Sequence, residues 1–239
     1  MEVNNIRVLT HSAIKMVTKG GQIIYFDPFQ IKEEFKDGDI VFITHSHHDH
    51  FSPEDIAKVI KDEGTIVMSG TEEEYKEGLD KLHNELGVNF TCMGMYPGDT
   101  IGEFIKAVPA YNVGKKFHEK EKLWSGYHLT DKLILVNEDN AELEEEVCTY
   151  YVTGDTDANL DNMSVKCDVL LIPVGGKYTF DYKEAAKYTA SIKPKVAIPT
   201  HYGSIVGGKD CGKKFKEAVA KLDPNIQVVE LMEYFNEDN

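Results

Sequence analysis

The hydrophobic pattern of the amino-terminal part of the chain predicts a series of short strands. Apolar and β-branched residues cluster in segments of four to six residues, with turn-forming residues between them. The turn Lys-Gly-Gly at 19–21 joins the second and third segments. The predicted strands cover residues 6–9, 13–17, 22–27, 39–43 and 65–68.

Helical periodicity is found in four later segments. Ser52 and Pro53 provide the N-cap and the first helical position of one helix, and its apolar positions 56, 59 and 60 share a face. A second helix begins at Thr71 with three acidic residues in its first turn. The predicted helices cover residues 53–61, 71–86, 182–192 and 213–222.

Strand patterns return after the second helix. Residues 169–173 are apolar throughout, which indicates a strand buried on both faces. The acidic segment 137–146 is expected to form an exposed hairpin loop. The predicted strands cover residues 90–93, 104–108, 124–129, 132–136, 147–152, 169–173, 195–199 and 227–231.

The composition is that of an ordinary soluble protein. With 239 residues, of which 41% are hydrophobic and 28% charged, the chain can bury a sizeable core, and we expect residues 1–239 to form a single domain. The formal net charge of −15 makes nucleic acid an unlikely partner, because phosphates are bound by lysine and arginine. A local basic patch could still hold a single phosphate.

Membrane and secretion signals are absent from the sequence. No stretch approaches the ~20 apolar residues of a membrane span, and the first residues lack the basic and apolar regions of a signal peptide. We therefore expect a cytoplasmic protein with no membrane partner. Its four cysteines lie far apart without a C-x-x-C pair, so we expect reduced structural thiols.

The candidate chemistry is concentrated in the segment 44–50, Thr-His-Ser-His-His-Asp-His, between a predicted strand and a predicted helix. In an extended segment alternate residues point the same way, so His45, His47 and Asp49 can converge on one point while His50 faces a second. Imidazole and carboxylate groups are typical zinc ligands, and manganese or iron also fits such a set. The spacing therefore suggests two divalent metal ions. The alternative is a solvated, polar, histidine-rich turn.

This H-x-H-x-D-H motif resembles that of the metallo-β-lactamase fold superfamily. The resemblance implies an α/β fold, specifically a four-layer αβ/βα sandwich, with a metal site at the open edge of two sheets and, in most members, hydrolysis. It also implies that Asp155, in a Gly-Asp-Thr element after a strand, bridges the two metals. His201 would then complete the second metal site with Asp49 and His50.

The third ligand of the first metal is left open by the resemblance. Most of the superfamily has a histidine at the strand end that here carries Asn112, and an amide oxygen binds zinc more weakly than an imidazole does. His118 is the nearest imidazole downstream. The first site, which contains His45 and His47, is therefore either weakened or completed by Asn112 or His118.

The substrate class is suggested by a narrower resemblance. The run Val-Pro-Ala-Tyr-Asn at 108–112 and the later Phe-His resemble a branch of uncharacterised hydrolases close to the ascorbate-6-phosphate lactonase-like group. This implies an ester, lactone or phosphoester substrate, with an anionic group favoured. Candidate substrate contacts are His11, Lys115, Lys177, Tyr178 and Tyr202.

Asp27, before a proline at the end of the third strand, is expected to support the metal loop, because ligating histidines need an acceptor for their second N–H. An ordinary turn residue is the alternative.

The resulting hypothesis is a metal-dependent hydrolase acting on a small molecule through a metal-bound water or hydroxide, with Asp49 orienting that water as the catalytic group. The alternatives are a phosphodiesterase of the same fold and a non-catalytic protein that binds a metal or a ligand. The oligomeric state stays open, a homo-oligomer included.

Overall fold

A computed structural model describes residues 2–136 and 143–235. Within these residues, thirteen strands form two sheets. In chain order the strands are β1 (Ile6–Thr10), β2 (Ala13–Val17), β3 (Ile23–Phe26), β4 (Gly38–Ile43), β5 (Ile60–Met68), β6 (Phe90–Gly94), β7 (Thr100–Ile101), β8 (Ile105–Pro109), β9 (Ser125–Val136), β10 (Leu143–Val152), β11 (Val169–Pro173), β12 (Val196–Thr200) and β13 (Gln227–Val228).

Four α-helices and one 3-10 helix accompany these strands in the described part of the chain. The 3-10 helix Lys120–Lys122 was not predicted from the sequence. The α-helices are α1 (Pro53–Val59), α2 (Glu72–Glu85), α3 (Tyr182–Ile192) and α4 (Cys211–Leu222). Within the described residues, no helix is both long and apolar enough to cross a lipid bilayer.

The first sheet has the order β1-β2-β3-β4-β5-β6 and the second has the order β13-β12-β11-β10-β9-β8-β7. In the first sheet, β1 to β3 pair antiparallel and β3 to β6 pair parallel. In the second, β10 to β13 pair parallel, and β7 to β10 pair antiparallel. The parallel strands β4, β10 and β12 each end immediately before a candidate metal-binding segment.

The main core lies between the two sheets. Phe26 and Phe42 of the first sheet stack at 5.2 Å, and the Phe42 ring lies 4.6 Å from that of Tyr127 in the second sheet. Large rings of this kind bury much apolar area at the contact between the sheets.

The helices cover the outer faces of the two sheets. Ile56 of α1 and Leu82 of α2 pack in one cluster with residues of β4 and β5. Ala185 of α3 and Phe215 of α4 pack with residues of β11 and β12. The order helix, sheet, sheet, helix confirms the predicted four-layer αβ/βα sandwich.

Several segments differ from the sequence-based prediction: β7 was not predicted, and β13 ends at Val228 although a strand was predicted over 227–231. The two strands predicted within 124–136 are one continuous strand, β9, which pairs with β10 from Val136 back to Tyr127. Residues 143–146, predicted as part of a loop, belong to β10, while 137–142 lie outside the described residues. Helix α1 ends at Val59 because Ile60 already has extended backbone angles and begins β5.

Candidate metal centre

The predicted metal-binding residues meet at one edge of the two sheets. The segment after β4 carries four histidines and Asp49, and the segments after β8, β10 and β12 carry the remaining candidates. Carboxyl ends of parallel strands share one edge of a sheet, which is where ligands bind in open α/β folds. The candidate ligands, which follow these strands in the sequence, are thereby brought together from distant parts of the chain.

The histidine-rich segment forms a tight turn after β4. The backbone carbonyl of His47 accepts hydrogen bonds from the amides of His50 at 3.0 Å and Phe51 at 2.8 Å. Ser52 then caps α1 by accepting from the amide of Asp55. This turn directs the side chains of His45, His47, Asp49 and His50 toward the sheet edge in a fixed arrangement.

A first group of potential ligands consists of His45, His47 and His118, whose ligand nitrogens all lie within 4.8 Å of one another. His45 Nε2 lies 3.0 Å from His47 Nδ1. His118 follows β8, and its backbone lies in the left-handed region with φ of 62°. Of the two candidates for the third ligand, His118 therefore lies in this group.

Asn112 has a different role in the structure. Its amide nitrogen donates to the backbone carbonyls of Phe117 at 2.8 Å and Tyr178 at 2.6 Å. These two acceptors use both amide hydrogens and fix the orientation of the side chain. Asn112 thus ties the loop that carries His118 to the loop that follows β11.

A second group of potential ligands consists of His11, Asp49, His50 and His201, whose ligand atoms also lie within 4.8 Å of one another. His201 Nε2 lies 3.6 Å from Asp49 Oδ2, and His50 Nε2 lies 3.9 Å from the same oxygen. The residues expected to bind the second metal are therefore neighbours.

Asp155 lies between the two groups. Its Oδ2 is 3.3 Å from His118 Nε2 and 3.1 Å from His201 Nε2, and its Oδ1 is 3.4 Å from His50 Nε2. The preceding Gly154 has φ of 63°, and a Cβ there would lie 3.1 Å from the Cβ of Thr44, so glycine permits this close approach. The position matches a carboxylate shared by two ions.

The donor atoms of the site fit metal ions. The buried atoms without a hydrogen-bond partner among the described residues include the Nε2 atoms of His50, His118 and His201 and the Oδ1 atom of Asp155. Buried polar atoms are nearly always satisfied, so a group of such atoms facing one another requires an explanation. Nitrogen and carboxylate donors of this kind are the usual ligands of zinc and related divalent ions.

Asp27 supports the site from behind, as expected. Its Oδ2 lies 2.7 Å from His50 Nδ1 and accepts from the Thr44 hydroxyl at 2.7 Å, while its Oδ1 accepts from the Thr44 amide at 2.8 Å. The Thr44 hydroxyl in turn lies 3.0 Å from His45 Nδ1. Such contacts orient the histidine rings and leave their Nε2 atoms facing the site.

His11 lies beneath the second group and is buried, out of reach of a substrate in the cavity. Its Nε2 is 3.2 Å from Asp49 Oδ2, and its ring lies 4.0 Å from that of His201. Burial lowers the pKa of His11 to about 3, so the ring is neutral at physiological pH. The structure therefore places this predicted substrate contact behind Asp49.

Electrostatics favour cation binding at His45, His47, Asp49 and Asp155. Burial lowers the pKa of His45 well below its usual value and that of His47 to about 4, so both rings have a free lone pair at neutral pH. Burial alone would raise the pKa of Asp49 and of Asp155, but neighbouring histidines outweigh burial and lower both. Both carboxylates are therefore ionised.

The remaining predicted substrate contacts occupy different positions. Tyr178 lines the cavity above the metal-binding groups, and the exposed Lys177 places its ammonium 4.7 Å from the centre of the Tyr178 ring. Lys115 is held by Asp157 at 2.6 Å, by the Thr179 carbonyl and by Glu184.

Tyr202 lies in the core, 1% exposed, with its ring 5.8 Å from that of Phe235, and it does not line the cavity. Its position directly after His201 made it a candidate, but the chain turns there and directs the two side chains apart.

The cavity has a volume of about 230 Å³. Besides the candidate ligands and Tyr178, it is lined by His48, Phe117 and Ile205, which sequence reasoning did not select. Phe117 could have been noticed because it precedes His118, whereas the loop position of Ile205 offered no periodic signal. Trp124 was also missed; its ring lies 4.8 Å from the rings of both His45 and His47.

Comparisons with known proteins agree with this architecture. Residues 5–201 match the family model described as the Beta-lactamase superfamily domain. A metal-dependent hydrolase of Nanoarchaeum equitans is 31% identical over 206 residues, covering 83% of this chain and 84% of the relative. A metal-dependent hydrolase of Methanobrevibacter smithii is 29% identical over 255 residues, covering 96% of this chain and 95% of the relative.

Among solved structures, a metallo hydrolase from Ignicoccus hospitalis matches with a TM-score of 0.66 and 22% identity, covering 95% of this chain and 95% of that one. At this identity the match supports the fold alone.

Proposed function

The chain belongs to the β-lactamase superfamily and is a metal-dependent hydrolase, and from this premise we propose that it uses two divalent ions to hydrolyse an ester, lactone or phosphoester bond in a small molecule. The observation that carries the proposal is the set of buried, unpartnered atoms that face one another around Asp155. Zinc is the first candidate for both ions, and manganese or iron also fits the donor set.

The proposed ligands follow from the two groups. His45, His47 and His118 would hold one ion, and Asp49, His50 and His201 would hold the other. Asp155, whose carboxylate lies beside residues of both groups, would be shared by the two ions. We assign the third position of the first group to His118, because its ligand nitrogen lies within 4.8 Å of those of His45 and His47 and its Nε2 lies 3.3 Å from Asp155 Oδ2.

Bound divalent ions lower the pKa of a coordinated water toward neutrality and stabilise negative charge that develops on the substrate. The Asp49 carboxylate lies at the cavity floor, where its Oδ1 is free of His11 and can accept a hydrogen bond from the attacking water. We assign Asp49 the catalytic role of orienting that water and taking up its proton.

The net reaction adds the water oxygen to the carbonyl carbon or phosphorus and breaks its bond to the leaving oxygen. One water proton passes to the leaving alkoxide, and the products are an acid and an alcohol.

Lys115 contributes little to binding an anionic substrate, because its ammonium already has three hydrogen-bond partners.

Metal content tests the ligand assignment. Elemental analysis of the purified, metal-supplemented protein should find two ions per chain in the wild type, one in His118→Ala and two in Asn112→Ala. One ion or none in the wild type, or an ion lost in Asn112→Ala and kept in His118→Ala, would contradict the assignment.

Turnover tests the reaction. We expect the metal-loaded protein to hydrolyse p-nitrophenyl butyrate, γ-butyrolactone or bis(p-nitrophenyl) phosphate, and His201→Ala to lose at least 100-fold in rate. Activity on the phosphodiester alone would identify a phosphodiesterase. Two bound ions without turnover on any of the three substrates would overturn hydrolysis and indicate a protein that only binds a metal or a ligand.

A further inference from the structure

The wall of the cavity opposite the metal-binding groups is apolar. Phe117, Tyr178 and Ile205 form it, and Phe117 and Ile205 remain 44% and 39% exposed. The Phe117 and Tyr178 rings meet edge to face, with centroids 4.9 Å apart at an angle of 85°. Exposed apolar side chains grouped at a polar site are typical of a surface that contacts a ligand.

This wall is held in place before any substrate binds. Asn112 is buried, and its amide nitrogen donates to the backbone carbonyls of both Phe117 and Tyr178. The two aromatic residues lie on different loops, and this single side chain connects them. A wall organised in advance loses less conformational freedom on binding, so its contacts contribute more fully to affinity.

Among the described residues, no lysine or arginine lines the cavity. Lys115, close to the same loops, is paired with Asp157 and Glu184. The ammonium of Lys177 is exposed and lies 4.7 Å from the centre of the Tyr178 ring, but Lys177 does not line the cavity. A carboxylate or phosphate placed against Phe117 and Tyr178 inside the cavity would therefore lose its hydration without gaining a lysine or arginine of the lining as a partner.

From these observations we propose that the substrate carries a compact, uncharged, apolar group next to the bond that is cleaved, and that Phe117, Tyr178 and Ile205 bind this group. The inference rests on the proposed hydrolase function and replaces the anionic substituent expected from the sequence. The cavity of about 230 Å³ is smaller than a typical pocket for drug-sized ligands, which limits the group to a short chain or a single ring.

The test compares two esters of equal chain length. p-Nitrophenyl butyrate and p-nitrophenyl hemisuccinate both carry a four-carbon acyl group, and the second ends in a carboxylate. We expect kcat/KM of the metal-loaded wild type to be at least about tenfold higher for the butyrate, because the carboxylate loses its hydration against the apolar wall, whereas burial of the terminal methyl is favourable. Phe117→Ala and Tyr178→Ala should reduce this preference to about twofold or less while retaining two metal ions.

Two further variants serve as controls. Phe104→Ala removes an aromatic side chain that is 49% exposed outside this cavity, and it should leave the preference unchanged. Lys177→Ala removes the cation at the rim. A wild type that favours the hemisuccinate, with that advantage lost in Lys177→Ala, would overturn the proposal, as would a butyrate preference that survives both wall substitutions.

A binding measurement separates failure of this inference from failure of the hydrolase proposal. N-propylbutyramide and N-propylsuccinamate carry the acyl groups of the two esters on an amide bond. Calorimetric titration of each amide into the metal-loaded protein measures its affinity and needs no turnover. Tighter binding of the neutral amide to wild type, reduced in Phe117→Ala, supports the apolar wall even if no ester is hydrolysed. Equal binding, or tighter binding of the succinamate that Phe117→Ala does not alter, contradicts it.

Discussion

Single residues behind the metal-binding groups determine how the imidazoles face the site. Asp27 contacts His50 and Thr44, and Thr44 contacts His45, so one carboxylate orients rings from both metal-binding groups. Asp27 itself has φ of 44°, an uncommon backbone conformation that the surrounding hydrogen bonds maintain. The position is only 1% exposed, so water cannot replace a lost contact easily.

Asp27→Asn therefore tests orientation at the residue scale. Since the amide replaces an acceptor with a donor facing His50 Nδ1, we expect metal affinity to fall about 10–100-fold, the usual range for loss of such a supporting contact. Competition with a chelating dye measures the affinity. Glu217→Gln, an exposed substitution on α4, is the matched control. Unchanged affinity in Asp27→Asn would show that the His50 ring is oriented by its packing alone.

At the scale of secondary-structure elements, helix α2 is connected to the metal-binding turn through its first residues. Thr71 and Glu74 form a capping box, in which each side chain bonds to the backbone of the other residue. Glu74 also accepts from the Ser46 hydroxyl at 2.8 Å and from the Trp124 indole nitrogen at 3.2 Å. One carboxylate thus links a helix start, the metal-binding turn and the ring beside His45 and His47.

Glu74→Ala should affect both stability and the site. We expect a loss of about 1–3 kcal/mol in the free energy of unfolding, because the cap and two further hydrogen-bond donors lose their acceptor. Denaturant titration measures this loss. Trp124 is the only tryptophan of the chain, so its fluorescence reports the local change directly. Glu73→Ala, an exposed neighbour in the same first turn, should change stability by less than about 0.5 kcal/mol and leave the emission unaltered.

The elements also show what the sequence could and could not predict. The helix at 182–192 was predicted with its observed bounds from its apolar period, and the structure shows that Asp181 caps it. Strand β9 was predicted as two strands, because the polar residues Thr130 and Asp131 interrupt its apolar pattern. In the structure, pairing with β10 keeps it continuous. The choice between Asn112 and His118 depended on the path of an irregular loop, which has no periodicity from which to predict it.

At the scale of the whole molecule, the candidate metal centre lies where the two sheets meet. His45, His47, Asp49 and His50 follow a strand of the first sheet, while the other proposed ligands follow strands of the second. Ions held by both sets would connect the sheets at the edge of their shared core. Because an ion binds the folded protein and finds no preformed site in the unfolded chain, metal binding should stabilise the fold.

This link predicts a metal-dependent melting temperature. At free metal equal to 100 times the dissociation constant, stabilisation is about 2.7 kcal/mol per site, which corresponds to an increase of about 5–10 °C for a protein of this size. Differential scanning calorimetry with added zinc and with chelator measures the difference in melting temperature.

Two variants test whether the ions connect the sheets. His45→Ala removes a proposed ligand that follows a strand of the first sheet, and His201→Ala removes one that follows a strand of the second. If the ions connect the sheets, each variant should lose a large part of the increment, although the two residues follow strands of different sheets. An increment that persists in both variants would mean that the stabilising ion binds elsewhere on the protein.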